Sequence, residues 1–256
     1  DQDRIPGDGD VDWTTALAYI EKLNVDTYLG FNDWRLPNVN ELLSICDLSR
    51  DDTALSSGHP VAGLKKLYWS STTRDRARYT ALGVFLREYY VHANITQLAG
   101  EVDYFIKYPE LYSGSSWEFY VIPVRGDASS GSGSVKLAAT GQSYAFLNGD
   151  DGSLREGLAW PDPRYTSNGD STVTDRLTGL CWATSANLMM ARDSLFDTTE
   201  WMDGQVRWSQ AFDYINKLNA EQFAGHDDWR LPNRAEMMSL LDYGNGHPCL
   251  NEFSPF

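Results

Sequence analysis

The chain has 256 residues, of which 42% are hydrophobic and 13% aromatic, enough apolar material for two cores of ordinary size. Its 21 basic and 36 acidic residues give a formal net charge of −15. This charge argues against nucleic acid as a partner, because Lys and Arg carry phosphate binding. No apolar run reaches the roughly 18 residues that a membrane-spanning helix needs, so the sequence predicts no membrane insertion.

The first predicted element is a helix over residues 12–24. Apolar side chains recur there at the spacing of one helical face. The stripe consists of Trp13, Ala16, Leu17, Ile20 and Leu23. A loop containing Gly30 then leads into the most distinctive segment of the chain.

That segment is Asp-Trp-Arg-Leu-Pro-Asn at residues 33–38, followed by Glu41. Asn38 is a good N-cap, and Glu41 three residues later completes the pattern of a capping box, which predicts a second helix. The Arg35 guanidinium suits carboxylates and sulfates, so ligand binding is one interpretation. We favour a structural ion pair with a nearby acid, because paired charges are the usual form of buried Arg. Trp34, Arg35 and Glu41 are therefore assigned to the scaffold.

Short strands follow the second helix. Residues 68–73, 79–86, 89–95 and 117–125 are rich in aromatic, hydroxyl and β-branched side chains. Two helices followed by short antiparallel strands predict an α+β unit.

The helix and the motif then occur a second time. Residues 228–233 repeat Asp-Trp-Arg-Leu-Pro-Asn at an offset of 195, and the register holds without a gap from Trp13/Trp208 to Pro60/Pro255. An ungapped match of this length predicts one structural unit used twice. Trp229, Arg230 and Glu236 take the same scaffold roles as their first-copy counterparts.

The repeat predicts three parts. Residues 1–127 form the first unit, residues 128–134 a Ser/Gly linker, and residues 135–256 the second unit. The first unit lacks the opening segment seen in the second, and the second lacks the closing strands seen in the first. We expect an excerpt of a longer tandem array; the alternative is completion by a neighbouring chain.

Four segments, which occur in the order expected of the family, resemble the Legionella collagen-like protein C-terminal domain family. They are residues 168–182, residues 228–233 with Glu236, residues 68–73 and residues 121–126. The resemblance implies units similar to the C-type-lectin-like and formylglycine-generating-enzyme folds, in extracellular or surface proteins of bacteria. A named member is an adhesin for sulfated polysaccharides, a ligand that this acidic chain does not favour. The reactive cysteine pair of the formylglycine-generating enzymes has no counterpart here, so we expect no enzyme.

Two further kinds of site are predicted. Asp150, Asp151 and Asp170 lie in loops with oxygen ligands at alternate positions, as calcium requires, although Asx turns explain the same pattern. Cys181 and Cys249 could form a disulfide in an oxidising compartment.

The leading functional hypothesis is a lectin-like binding module of a bacterial adhesin or surface protein, with a carbohydrate or protein surface as ligand. The alternative is a structural subunit or spacer of an extracellular assembly that self-associates through its neighbours. Exposed aromatic rings can stack on sugars, although core packing is the alternative for each of them. The candidate ligand residues are Tyr68, Tyr89, Tyr90, Arg74 and Arg76, together with Trp69 and Trp117, for which core packing is preferred.

Overall fold

The computed structural model describes residues 9–50, 53–74, 79–87, 89–92, 95–97, 99–107, 118–126, 136–197 and 203–245. The chain divides into two compact units. The first comprises Asp1–Ala159 with Asp242–Cys249, and the second Trp160–Leu241 with Leu250–Phe256. Both contain helices and small antiparallel sheets, which confirms the α+β fold class. The predicted linker lies outside the described residues.

Helix α1 spans Trp13–Val25 and begins where the sequence predicts. The Asp12 carboxylate caps it by accepting a hydrogen bond of 2.9 Å from the Thr15 N–H, which satisfies one of the free donors at the helix start. All five residues of the predicted apolar stripe are buried.

The repeated motif forms the short strand β1, Trp34–Arg35, and the entry to helix α2, Val39–Ser44. The predicted capping box is confirmed. The Asn38 side chain accepts from the Glu41 N–H at 3.0 Å, and the Glu41 carboxylate accepts from the Asn38 N–H at 2.9 Å.

The main sheet of the first unit has the strand order β2-β3-β6, all antiparallel. Strand β2 spans Leu67–Thr73, β3 Thr80–Phe85 and β6 Val102–Ile106. The sequence predicts the first two and misses β6.

Two other predicted strands differ from the structure. Instead of one strand over 89–95, a register-shifted hairpin pairs β4, Tyr89–His92, with β5, Ile95–Gln97. Within 118–125 only Val124–Arg125 forms a strand, β7, which pairs with β1. The preceding residues make isolated bridges to two different segments, and Pro123 has no N–H to continue a ladder.

The core of the first unit lies between α1 and the main sheet. Trp13 and Trp69 are fully buried at its centre. Their indole N–H groups donate to the carbonyls of Ser70, at 2.8 Å, and Val11, at 2.7 Å. The cluster is completed by Val11, Ala16, Leu17, Ile20, Leu23, Leu36, Leu67, Ala81, Phe85, Phe105 and Phe119.

Residues 136–159 pack within the first unit, so the unit boundary at Ala159 lies later than the one drawn from composition. The Gln142 side chain pairs with the Thr73 backbone, accepting from its N–H at 3.0 Å and donating to its carbonyl at 2.8 Å. This amide takes the place of a neighbouring strand at the end of β2. Helix α3, Asp151–Leu154, follows in the same segment.

The second unit contains an antiparallel sheet of order β10-β9-β8, whose strands are Cys181–Ala183, Thr172–Asp175 and Tyr165–Ser167. Its helices are α4, Leu188–Asp193, α5, Trp208–Ala220, and α6, Arg234–Ser239. Met189, Tyr214 and Leu218 form the small buried core between α4 and α5.

Candidate functional site

A 3-10 turn over Tyr28–Gly30 connects α1 to the motif. Thr27 and Leu29 hold left-handed backbone angles, with φ of 50° and 54°, although neither is glycine. Such angles persist where the surroundings fix them. Here the Trp34 indole N–H donates to the Tyr28 carbonyl at 3.0 Å, and the Asn24 side chain bonds both backbone groups of Trp34.

This fixed turn presents aromatic rings to solvent. Tyr28 is 48% exposed and Phe31 41% exposed. Pairing of β1 with β7 brings Arg125 beside them, because Arg125 lies opposite Trp34 in the register. We call Tyr28, Phe31, Asp33 and Arg125 the aromatic patch.

The aromatic patch combines a ring with an exposed ion pair. The Arg125 guanidinium lies over the Phe31 ring, 3.6 Å from its centroid, and its Nε donates to Asp33 at 3.0 Å. This hydrogen bond lowers the pKa of the Asp33 carboxyl, so the acid is ionised at neutral pH. A ring that can stack on a sugar therefore lies next to a planar donor and a carboxylate acceptor, which together match adjacent hydroxyl groups.

A second exposed surface contains the predicted residue Arg74. Its guanidinium lies over the Tyr104 ring, 4.7 Å from the centroid. Tyr79 directly precedes β3 and is 47% exposed. Its backbone carbonyl accepts a hydrogen bond from the Lys107 N–H. This surface offers an aromatic ring with a cation stacked on it.

The other predicted ligand residues are not brought together by the structure. Tyr68 is only 5% exposed and its hydroxyl accepts from the Lys65 N–H at 2.9 Å, so it has no open face for a sugar. Trp69 is in the core. Tyr89 and Tyr90 lie on β4, but their side chains lie outside the described residues. Arg76 and Trp117 also lie outside them.

The three aspartates proposed for calcium are engaged with protein donors. Asp150 caps α3 and accepts from the Ser153 N–H at 2.9 Å. The Asp151 carboxylate accepts from two threonine hydroxyls, and burial raises its pKa to about 6. Asp170 accepts from the Thr172 N–H at 3.0 Å, as in an Asx turn. In the part of the chain that the structure describes, no three such side chains form a metal-binding group.

Cys181 is exposed, and its sulfur lies 3.7 Å from the Asn168 amide nitrogen. Its predicted disulfide partner, Cys249, lies outside the described residues, so the pairing stays a prediction.

The repeated ion pair has different surroundings in the two copies. Arg35 forms two hydrogen bonds of 2.5 Å to Glu41 and one of 2.9 Å to the Gly126 carbonyl, and both side chains are 8% exposed. Arg230 makes the same pair with Glu236 but is 57% exposed. The hydrogen bond from Arg230 lowers the pKa of Glu236 to about 2. The pair itself is thus a local feature of the motif, and its burial depends on what covers it.

The family comparison agrees with these repeated features. Residues 2–125 and 171–255 match the Lcl C-terminal domain. The chain belongs to this family. The two matched stretches confirm tandem copies, and membership places the chain among surface or secreted modules. No curated protein and no solved structure matches the chain.

The described portion of this Lcl C-terminal domain chain contains no helix that is long and apolar enough to cross a membrane. Sequence reasoning missed Phe31 and Arg125 as site residues. The only signal for either was position, since Phe31 precedes the motif and Arg125 ends a predicted strand. Phe31 and Arg125 lie close together because β1 pairs with β7. Hydrophobic periodicity does not predict a pairing between strands that are so far apart in the sequence.

Proposed function

We propose that the chain is an extracellular, lectin-like binding module that takes carbohydrate at the aromatic patch. The observation that carries this proposal is the Arg125 guanidinium 3.6 Å from the Phe31 ring centroid and bonded to Asp33. Saccharides present a C–H face and pairs of hydroxyls, for which a ring beside a fork of donors is well suited.

The ligand class follows from the charges of the patch. Asp33 and Arg125 neutralise each other, and the whole chain carries −15. A neutral saccharide therefore fits better than a sulfated one, which the overall charge repels. No catalytic step is part of this proposal.

A glycan array, run with calcium and with chelator, tests it. Phe31→Ala and Arg125→Ala should each lower the signal of the best glycan about tenfold, as expected for the loss of roughly 1.4 kcal/mol of contact energy. The matched control is His226→Ala, the counterpart of Phe31 in the second copy, which should leave binding unchanged.

Absence of binding to every glycan in both conditions would contradict the proposal. Binding that is lost in Tyr104→Ala but kept in Phe31→Ala would move the site to the surface around Arg74. If glycan binding is the same with calcium and with chelator, carbohydrate binding does not depend on the predicted calcium site.

The second candidate is a structural subunit that is completed by neighbouring chains. One observation favours it: the neighbouring rings of Trp208 and Phe212 in the second copy, with centroids 5.1 Å apart, are 75% and 46% exposed. A monomeric surface rarely carries large contiguous apolar side chains without a partner.

A further inference from the structure

The second copy of the repeat exposes the face that the first copy buries. Trp13, Leu17 and Leu42 are 0%, 8% and 1% exposed. Their counterparts Trp208, Phe212 and Met237 are 75%, 46% and 50% exposed. We call these three residues, with Arg230, the open face.

The local backbone of the two copies is the same, so the difference does not come from misfolding of the second. The N-caps Asn38 and Asn233 both have φ −75° and ψ 171°. Asn219 bonds both backbone groups of Trp229 at 2.9 and 2.7 Å, as Asn24 does for Trp34 in the first copy. The open face is therefore preformed in the geometry that the first copy uses.

In the first copy, a defined set of strands covers this geometry. The Trp13 indole donates to the Ser70 carbonyl on β2, and Trp13 belongs to the same buried cluster as Leu67 and Trp69 of that strand. The Arg35 guanidinium donates to the Gly126 carbonyl, directly after β7. We call β2, β3, β6 and β7, within residues 67–125, the closing sheet.

One further bond joins the closing sheet to α2 of the first copy. Val39 is fully buried there, and its backbone N–H donates to the Thr72 hydroxyl of β2 at 3.0 Å. Arg234 takes this position in the second copy and offers the same backbone N–H to an incoming strand.

We propose that the open face is a docking site for a second copy of the closing sheet. The incoming β2-type strand gives a backbone carbonyl to the Trp208 indole, and the incoming β7-type strand gives one to Arg230. Apolar contacts with Phe212 and Met237 supply most of the affinity, because they remove exposed apolar area from water. The inference develops the second candidate function and is independent of the aromatic patch.

The test appends residues 62–126 directly after Phe256 of the full chain, which continues the repeat register because Phe256 aligns with Val61. Tethering gives the added sheet a high effective concentration at the open face. Oxidation of Trp208 by hydroxyl radicals, followed by mass spectrometry, should slow roughly tenfold, because burial removes its access to solvent. A second chain with the same appended residues in scrambled order is the matched control and should leave Trp208 as reactive as before.

Unchanged Trp208 oxidation in the extended chain would overturn the proposal. Trp208→Ala tests the contact directly, and Leu195→Ala is its matched control. Leu195 is 87% exposed in the same unit but lies outside the open face. In the extended chain only Trp208→Ala should lower the melting temperature. If the unmodified chain instead forms a dimer in sedimentation that protects Trp208, the face pairs with its own copy and the closing-sheet proposal fails.

Glycan binding reports separately on the proposed function. Phe31 lies in the first unit, and neither the appended sheet nor Trp208→Ala changes it. Failure of the glycan proposal therefore leaves the Trp208 result interpretable, and the reverse also holds.

Discussion

The two copies of the repeat have nearly the same motif and different environments. Trp13 is fully buried and hydrogen-bonded to β2, whereas Trp208 at the same repeat position is 75% exposed. The capping box and the Arg–Glu pair form in both. Local sequence therefore determines the turn, the cap and the ion pair, while burial of the motif requires the closing sheet.

This comparison separates two kinds of contribution to stability. Local hydrogen bonds at a helix end contribute about 1 kcal/mol whether or not the helix is covered. Burial of a large aromatic side chain contributes several times more and depends on the partner surface. The first copy has both contributions along its whole helix face, whereas the second has the local one and buries only part of that face, at Tyr214 and Leu218.

The largest expected difference concerns the paired tryptophans. Trp13→Ala should lower the free energy of unfolding by about 3–5 kcal/mol, because it leaves a cavity against Trp69 and an unused carbonyl at Ser70. Trp208→Ala should change it by less than about 0.5 kcal/mol, as is usual for exposed positions. Urea denaturation of both variants measures the difference, and equal losses would contradict the assignment of the two environments.

The paired arginines should differ by a smaller amount. Arg35→Ala leaves the Glu41 carboxylate buried without its cation, which costs about 3–5 kcal/mol when a buried pair is broken. Arg230→Ala breaks an exposed pair and should cost about 1 kcal/mol or less.

Denaturation of these two variants at low and high salt measures the contrast. The small effect of Arg230→Ala should shrink further with salt, because exposed charges are screened. The effect of Arg35→Ala should persist. Loss of the Arg35 effect in salt would indicate that this pair is open to solvent.

The smallest of the three effects belongs to Lys107, a buried amine of the first unit. Lys107 is fully buried between the rings of Trp13 and Phe146, at 4.4 and 4.1 Å, and its Nζ makes no hydrogen bond among the described residues. Burial lowers the pKa of Lys107 from 10.5 to about 7, against the attraction of Asp150. The unfolded chain therefore binds a proton that the folded chain does not hold between those two pH values.

The free energy of unfolding should consequently rise as the pH is raised from about 7 towards 10. Below about 7 both states hold the proton, so Lys107 should add no slope there. Lys107→Met should remove this slope and stabilise the first unit by about 1–2 kcal/mol at pH 7, because it relieves the burial of an amine. Melting temperatures across this pH range measure both effects. Lys22→Met, on the exposed surface of α1, is the control. If the pH dependence of stability persists in Lys107→Met, another group causes it.

Sequence patterns predicted the features that depend on neighbouring residues. The stripe from Trp13 to Leu23 predicted α1, and the spacing of Asn38 and Glu41 predicted the capping box. The β2 segment was predicted from its aromatic and hydroxyl residues. In each case the partners are within one helical turn or one strand, so spacing alone carries the information.

Features that depend on distant partners could not be predicted in the same way. Strand β6 was missed, and the 89–95 segment was predicted as one strand where two form. Residues 136–159 were assigned to the second unit from composition, but Gln142 bonds the Thr73 backbone in the first. The aromatic patch likewise requires Arg125 to meet Phe31 across 94 positions, a pairing set by the β1–β7 register.

Radical footprinting of the unmodified chain, resolved by residue, tests the central claim most directly. The structure predicts that Trp208 is oxidised roughly tenfold faster than Trp13, because only Trp13 is shielded by the closing sheet. Equal protection of the two indoles would contradict the account, since it would mean that both copies of the repeat are covered in the same way.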